Sequence, residues 1–159
     1  MAIDQAAVLD ALRQRLESVV VYEGETEERL IAYAPSQPSP GEGGLPLEVT
    51  DLPAALVMPG RTIDYILQPG QHRHTYLVRV LVILGGGQYT ETAFIGSPLP
   101  DRIIEKMVGN VTLGGAANSC VFQDCSGLVE ITWGGTQYLG YEMQWRVSEQ
   151  ASASPATGV

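Results

Sequence analysis

The sequence predicts an α+β fold in which a mostly antiparallel mixed sheet carries two packed helices, in a single compact domain with a protruding loop. Three observations support this prediction. Apolar residues recur at the three- and four-residue spacing of a helix in two segments, 4–19 and 98–108. Other apolar segments alternate or run continuously between Pro-Gly and Gly-Gly pairs, as strands do. The chain of 159 residues has the length of one domain with one core.

The two helices have recognisable starts. Asp4 is the predicted N-cap of the helix over residues 4–19, because its carboxylate can accept from the first free backbone N–H groups. Its apolar stripe consists of Val8, Leu9, Leu12, Leu16 and Val19. For the helix over residues 98–108, Ser97 is the predicted N-cap and Pro98 the first helical residue. Its buried stripe is Ile103, Ile104 and Met107.

Pro-Gly pairs divide the middle of the chain into strands. Residues 55–58 form an apolar run that is predicted to end in a type II turn at the Pro-Gly pair 59–60. Residues 62–67 alternate between apolar and polar, and a second Pro-Gly pair at 69–70 reverses the chain.

The strand predicted at the centre of the sheet covers residues 75–84. From Val80 onward both of its faces are apolar, and such a strand needs cover on both sides. A helix is expected on one side and another apolar element on the other.

The last two strands, 128–133 and 137–147, are predicted to form a hairpin. Their odd-numbered residues are apolar apart from Gln137, and most even-numbered ones are polar. A two-residue turn would place Trp133 opposite Thr136 and join unlike faces, burying Glu142 and Arg146. We therefore predict a three-residue loop over 134–136, with Trp133 opposite Gln137.

Two segments are expected to lie outside the regular structure. Residues 34–46 are rich in proline and glycine and are predicted to form an extended loop or arm within the domain 1–149. Small and polar residues fill 150–159, which is predicted to be a flexible C-terminal tail.

Charge and composition narrow the function classes. The formal net charge is −9, and no basic stripe is present, which argues against stable binding of nucleic acid. No run of about 20 apolar residues and no basic n-region is found, so we expect a soluble protein made in the cytosol, with no membrane partner. In that compartment Cys120 and Cys125 are expected to be reduced.

The acidic cluster Glu23, Glu25, Glu27 and Glu28 forms either a solvated face or an electronegative patch towards a pore or a basic partner.

The candidate chemical groups are few. No nucleophile, phosphate-loop, zinc-protease or dinucleotide motif occurs. Alternation places His72 and His74 on one face, where they form either a solvated hairpin tip or part of a metal site completed by Cys120 and Cys125. The two cysteines can instead form a disulfide in an oxidised preparation.

Glu130, Glu142 and Arg146 share a polar face in the predicted register. They form either a surface charge network or an acid–base pair.

The closing hairpin carries a family resemblance. Its aromatic-Gly-Gly-x-x-Tyr-Leu-Gly pattern is matched by Trp133, Gly134, Gly135, Tyr138, Leu139 and Gly140. With the order of helices and strands before it, this pattern resembles the tail terminator (tail completion) proteins of long-tailed bacteriophages. The likeness covers most of residues 1–149.

The resemblance implies a structural virion protein without catalytic residues, cofactor or metal. It implies a homo-oligomeric ring, expected to be a hexamer, that caps the tail tube and stops its polymerisation. The expected partners are the major tail-tube protein and a head-completion or neck connector protein, with double-stranded DNA passing through the lumen without specific binding. The expected location is the tail–neck region of the virion, after assembly in the host cytoplasm.

Specific residues are predicted for the contacts of such a ring. Subunit and partner contacts are predicted at Pro38, Pro40, Leu45, Arg61, His72, Arg73, His74, Tyr138 and Arg146. The acidic lumen residues are predicted to be Glu23, Glu25, Glu27 and Glu28. The alternatives are a head–tail connector or neck adaptor ring, and a small-molecule-binding domain that uses the face with Glu130, Glu142 and Arg146.

Overall fold

The computed structural model of the chain describes residues 4–22, 28–35, 45–46, 49, 52–85, 98–109 and 112–151. Two α-helices, eight strands and a short 3₁₀ helix, Leu113–Gly115, lie within them. The helices are α1 Gln5–Leu16 and α2 Leu99–Val108. The strands are β1 Val20–Tyr22, β2 Glu28–Arg29, β3 Ile31–Tyr33, β4 Ala54–Gln68, β5 Gln71–Gly85, β6 Ser119–Cys125, β7 Val129–Trp133 and β8 Thr136–Ala151.

Six of the strands form one mixed sheet. Its order is β3-β4-β5-β8-β6, and β7 pairs with β8 on the side that β6 also occupies. β3 runs parallel to β4, and every other pair in this sheet is antiparallel. The predicted fold class, an α+β domain with a mostly antiparallel mixed sheet and two helices, is confirmed.

Helix α1 begins as predicted. The Asp4 carboxylate accepts a hydrogen bond from the backbone N–H of Ala7 at 3.2 Å. The helix ends at Leu16, three residues earlier than predicted, and a turn then carries the chain to Val19. Val19 is nevertheless fully buried, because the turn directs it into the same core as the helical stripe.

Helix α2 matches its predicted range but not its predicted cap. Pro98 occupies the N-cap position and supplies no side-chain hydrogen bond, while Ser97 lies outside the described residues. Proline fits here because a helix start leaves backbone N–H groups unpaired in any case. The guanidinium of Arg102 donates to the backbone carbonyls of Val20 and Val21, which ties α2 to the segment after α1.

The predicted turn at Pro59-Gly60 is wrong. β4 is a single strand of 15 residues that continues through both positions, with register shifts between Pro59 and Asp64. Proline is tolerated because β3 pairs only with residues 54–56, so that β4 has no outer neighbour at Pro59 among the described strands. The second Pro-Gly pair does turn the chain, with Gly70 at φ 80° and Gln68 opposite Gln71.

β5 occupies the centre of the sheet, as predicted. It pairs with β4 on one side and β8 on the other over most of its 15 residues. Val80 and Val82 point into the core beneath the helices, whereas Leu81 and Ile83 belong to a second cluster on the opposite face.

The predicted three-residue loop of the closing hairpin is also wrong. Trp133 lies opposite Thr136, and Gly134 and Gly135 form a two-residue turn with φ values of 59° and 81°. Two consecutive positive φ values are those of a type I′ turn, whose twist suits a hairpin.

This pairing register still buries the apolar residues of the hairpin, because the sheet has an apolar core on each face. Met143, Trp145 and Val147 of β8 pack beneath the helices, while Ile131 of β7 packs with Tyr138 of β8 in the second cluster. The prediction rejected a two-residue turn because it would bury Glu142 and Arg146, but neither residue belongs to the second cluster. Arg146 is therefore exposed, and Glu142 is paired with Arg79 at the surface.

The arm and the tail lie mostly outside the described residues. Of the arm, residues 36–44 are not described, so the predictions for Pro38 and Pro40 fall outside the structure. β8 continues to Ala151 and thus enters the segment predicted as tail, of which residues 152–159 are not described.

Candidate functional site

The aromatic residues of the closing hairpin hold the end of the arm. The indole N–H of Trp133 donates to the carbonyl of Pro46 at 2.9 Å, and the Tyr138 hydroxyl donates to the carbonyl of Val49 at 3.1 Å. Leu45 and Val49 pack against the second cluster beside these bonds. The hairpin pattern that carries the resemblance therefore fixes the arm's return to the sheet.

Gly140 of the same pattern is needed for close packing. A Cβ atom at this position would collide with the backbone carbonyl oxygen of Val82 and would touch Ile131. Glycine is the residue that lets β5 and β7 approach β8 this closely.

The residues predicted to contact other subunits have unequal access to solvent. Arg61 and Arg146 are exposed, and Leu45, His72 and Arg73 are half-buried. His74 and Tyr138 are buried inside the single chain, which corrects their assignment to a contact surface. Their polar atoms are already used: the His74 ring is paired with Thr62, and the Tyr138 hydroxyl donates to Val49.

The predicted lumen residues fall largely outside the structure. Glu23, Glu25 and Glu27 are not among the described residues. Glu28 begins the short strand β2, and its side chain is not described.

The two histidines belong to a packed stack and not to a solvated hairpin tip. The Tyr65 ring lies nearly parallel to both imidazoles, with centroids 4.1 Å from His74 and 5.5 Å from His72. Nε2 of His74 lies 3.0 Å from the Thr62 hydroxyl, and its ring also contacts Tyr76. Burial lowers the pKa of His74, nearby Glu149 opposes that shift, and His72 adds to it.

Glu149 is the buried acid at the base of this stack. It lies opposite His74 in the sheet, accepts from the Tyr76 hydroxyl at 2.7 Å and accepts from the backbone N–H of Asp4 at 2.9 Å. One carboxylate thus joins β5, β8 and the start of α1. Burial and the bond to Glu149 raise the pKa of Tyr76, so the phenol stays protonated and remains a donor.

The described residues contain no group of three metal-ligating side chains. The two cysteines are free thiols on β6. Burial raises the pKa of Cys120 to about 12, which leaves its thiol protonated and unreactive at neutral pH. Cys120 packs in the core with Met143 and Val147, and this packing is its observed role.

The acid pair predicted on the last hairpin is not formed. Glu130 lies opposite Leu139, which places it on the other face of the sheet from Glu142. The cause is the two-residue turn, which inverts the faces of β7 relative to the prediction. Glu142 instead accepts from Nε of Arg79 at 2.7 Å, and both side chains are partly exposed, so this pair contributes little to stability.

A depression of about 380 Å³ lies between the two helices and contains three cations, Arg15, Arg102 and Lys106. The Arg15 guanidinium donates to the carbonyl of Lys106, and Arg102 donates to Val20 and Val21. Arg15 therefore joins the end of α1 to the end of α2, and Arg102 joins α2 to β1.

In the described part of the chain, the main sheet has two free edges. Beyond residue 56, β4 has no outer partner among the described strands, and among the same strands β6 pairs with β8 alone. Free strand edges present unpaired N–H and C=O groups that can accept another strand.

Exposed apolar side chains lie at both edges. On β4, Leu67 is 73% exposed and Tyr65 is half exposed; on the other side, Val108 at the end of α2 is 68% exposed, next to exposed Val121 and Phe122 of β6. A pocket of about 230 Å³ opens here. Its walls are Ile104, Met107, Val108, Cys120, Val121, Phe122 and Trp145.

Sequence reasoning did not identify these edges as a site. Tyr65 and Leu67 follow the alternation of a half-buried strand, but β4 extends past the helices that would cover it. The Val108 side chain continues the apolar stripe of α2 beyond the core in the same way.

No protein-family model matches the chain, and no curated protein is similar to it in sequence. Among the described residues, no helix is long and apolar enough to cross a bilayer.

Proposed function

We propose that this chain is a structural virion subunit that assembles head to tail with its own copies into a ring, expected to be a hexamer, on the end of a phage tail tube. The ring stops polymerisation of the tube and offers a surface for the head-completion or neck protein. The observation that carries the proposal is a sheet with two unlike free edges, each bearing exposed apolar side chains.

Unlike edges favour a ring over a two-fold dimer. A two-fold contact uses the same patch on both copies, whereas a contact between two different patches repeats from copy to copy and closes when the rotation allows. The two exposed patches contain different residues and lie at opposite ends of the strand order. This arrangement supports a head-to-tail contact.

The charge of the chain suits a passage for DNA. A subunit with a net charge of −9 surrounds a lumen with negative potential, which repels phosphate and lets a duplex slide. We keep Glu23, Glu25, Glu27 and Glu28 as the proposed lumen residues.

The ionisable groups of the sheet also support a structural role. Glu149 holds Tyr76 and the start of α1, and Glu142 is paired with Arg79. These groups are paired within the subunit, and Glu149 joins the sheet to the start of α1.

Native mass by light scattering, over a concentration series with and without purified major tail-tube protein, tests the proposal. A hexamer, or a monomer that forms rings on tail-tube ends, would support it. A monomer that ignores tail tubes at every concentration would overturn it. Assembly on a portal-side protein in place of the tube would favour the connector.

A further inference from the structure

We propose that the outer edge of β4 in one copy pairs with the outer edge of β6 in the next, and that Leu67 enters the pocket between α2 and β6. This inference rests on the proposed ring and names the contact that builds it. It assigns a role to the apolar side chains that are exposed among the described residues.

The strand directions permit the pairing. Each neighbour in the series β4, β5, β8, β6 is antiparallel, so β4 and β6 run in opposite directions. A second copy that continues the sheet in the same orientation therefore places its β4 antiparallel to β6, as in the rest of the main sheet apart from β3. Residues 61–68 of β4 and the strand Ser119–Cys125 are of similar length, so their free backbone groups can pair along most of β6.

Leu67 and Tyr65 of one edge lie on the same face of the sheet as Phe122 of the other edge. Leu67 lies opposite His72 and Tyr65 opposite His74, on the face where Tyr76 enters the core beneath the helices. Phe122 lies opposite Trp145, which enters the same core. When the sheet continues from one copy to the next, these side chains meet on the face that α2 partly covers.

The pocket is of a size to hold one aliphatic side chain. A closed cavity of about 150 Å³ accommodates benzene, so the space of about 230 Å³ here admits a leucine side chain. The fully buried Trp145 forms part of its wall, and all seven side chains that line the pocket are apolar, which suits a leucine side chain.

The charges near the two edges also favour pairing of β4 with β6 of the next copy. Near the β4 edge, Arg61 and Arg73 of neighbouring β5 outnumber the one acid, Asp64. On the pocket side, exposed Asp101, Glu105 and Asp124 outnumber exposed Lys106. Opposite charge on two contacting surfaces speeds association and sets its orientation.

Aspartate substitutions at exposed positions test the contact. Leu67→Asp places a charge on the inserted side chain, Val108→Asp places one in the pocket wall, and Leu52→Asp is the control, at a position 37% exposed and outside both edges. Light scattering over a concentration series measures the midpoint of assembly. We expect the first two variants to raise that midpoint by roughly tenfold to a hundredfold, because each loses a buried apolar contact, and the control to leave it unchanged.

Mixing the two variants shows whether the contact is head to tail. Leu67→Asp keeps an intact pocket and Val108→Asp keeps an intact leucine, so an equal mixture should form a dimer of unlike copies that cannot grow further. Circular dichroism and thermal melting of each variant establish that it is folded.

Disulfide cross-linking detects the contact even when the contact between two copies is weak. In a Cys125→Ser background, copies with Leu67→Cys are mixed with copies with Val108→Cys and oxidised. We expect a disulfide-linked dimer that requires both variants.

The outcomes separate this contact from the ring itself. If the wild type assembles and Leu67→Asp assembles equally well, the contact is wrong and the ring stands. If only copies with Leu67→Cys cross-link to each other, the contact is two-fold and the proposal is overturned. A wild type that never assembles, even on tail tubes, overturns both.

Discussion

Glu149, near the end of β8, is the residue that links the sheet to the start of α1. Its carboxylate accepts from the Tyr76 hydroxyl and from the backbone N–H of Asp4, while His74 lies across from it in the sheet. The residues that face the His74 ring are Thr62 and Tyr65 from β4, His72 and Tyr76 from β5, and Glu149 from β8.

The lowered pKa of His74 predicts a pH dependence of stability. Because burial disfavours the charged ring, the unfolded chain takes up this proton more readily than the folded one. Stability is therefore complete above the ordinary histidine value of 6.5 and falls as the pH decreases through it. Urea unfolding between pH 7.5 and pH 5.5 should show this decrease, and His74→Gln should reduce it. An equal decrease in His74→Gln would assign the effect to other groups.

Gly140→Ala is predicted to destabilise the subunit by about 1–3 kcal/mol, because the added Cβ would collide with the carbonyl of Val82. Gly127→Ala is the matched control. No atom lies within 4 Å of its Cβ position, so its effect should stay within about 0.5 kcal/mol. Chemical denaturation of both variants measures the difference, and equal stability of the two would show that β5 and β8 can move apart at no cost.

At the scale of elements, β8 is the strand that organises the sheet. It contains 16 residues and pairs with β5, β6 and β7. Met143, Trp145 and Val147 pack beneath the helices, and Tyr138 packs on the other face with the end of the arm. The hairpin turn before it sets which β7 residues reach which face.

The two glycines of that turn are predicted to differ in tolerance. Gly134→Asn should leave stability nearly unchanged, because asparagine is common at the first position of a type I′ turn. Gly135→Val should cost about 1–3 kcal/mol, because a β-branched residue at φ 81° is strained. Thermal unfolding compares the two, and a stable Gly135→Val variant would mean that the turn can adopt another form.

Periodicity predicted most of the elements but not the way they are joined. The spacing of apolar residues predicted both helices and the central strand β5. Each helix has one apolar stripe and β5 has two apolar faces, and these patterns can be recognised without knowing the neighbouring elements. The turn at Pro59-Gly60 and the loop after Trp133 were predicted wrongly. The loop prediction assumed one buried face, whereas the second cluster gives the sheet two. The free edges could not be predicted, because alternation does not show where the covering helices end.

At the scale of the whole molecule, the arm is predicted to act in assembly and not in folding. Its far end is already held by Trp133 at Pro46 and by Tyr138 at Val49. Replacing residues 36–44 with a Gly/Ser linker of equal length should therefore leave the melting temperature unchanged and raise the midpoint concentration of assembly. Full assembly of that variant would remove the arm from the contacts.

The bond between Asp4 and Glu149 also determines when the subunit can finish folding. It joins residues 145 positions apart, and β8, to which Glu149 belongs, supplies the pairing for three other strands. Contacts of such long sequence separation form slowly, and during synthesis they wait for the last strand to leave the ribosome. Helix α1 is made first and packs against β3, β4 and the 3₁₀ helix, but the bond that fixes its start to the sheet forms only after β8 has been made through Glu149.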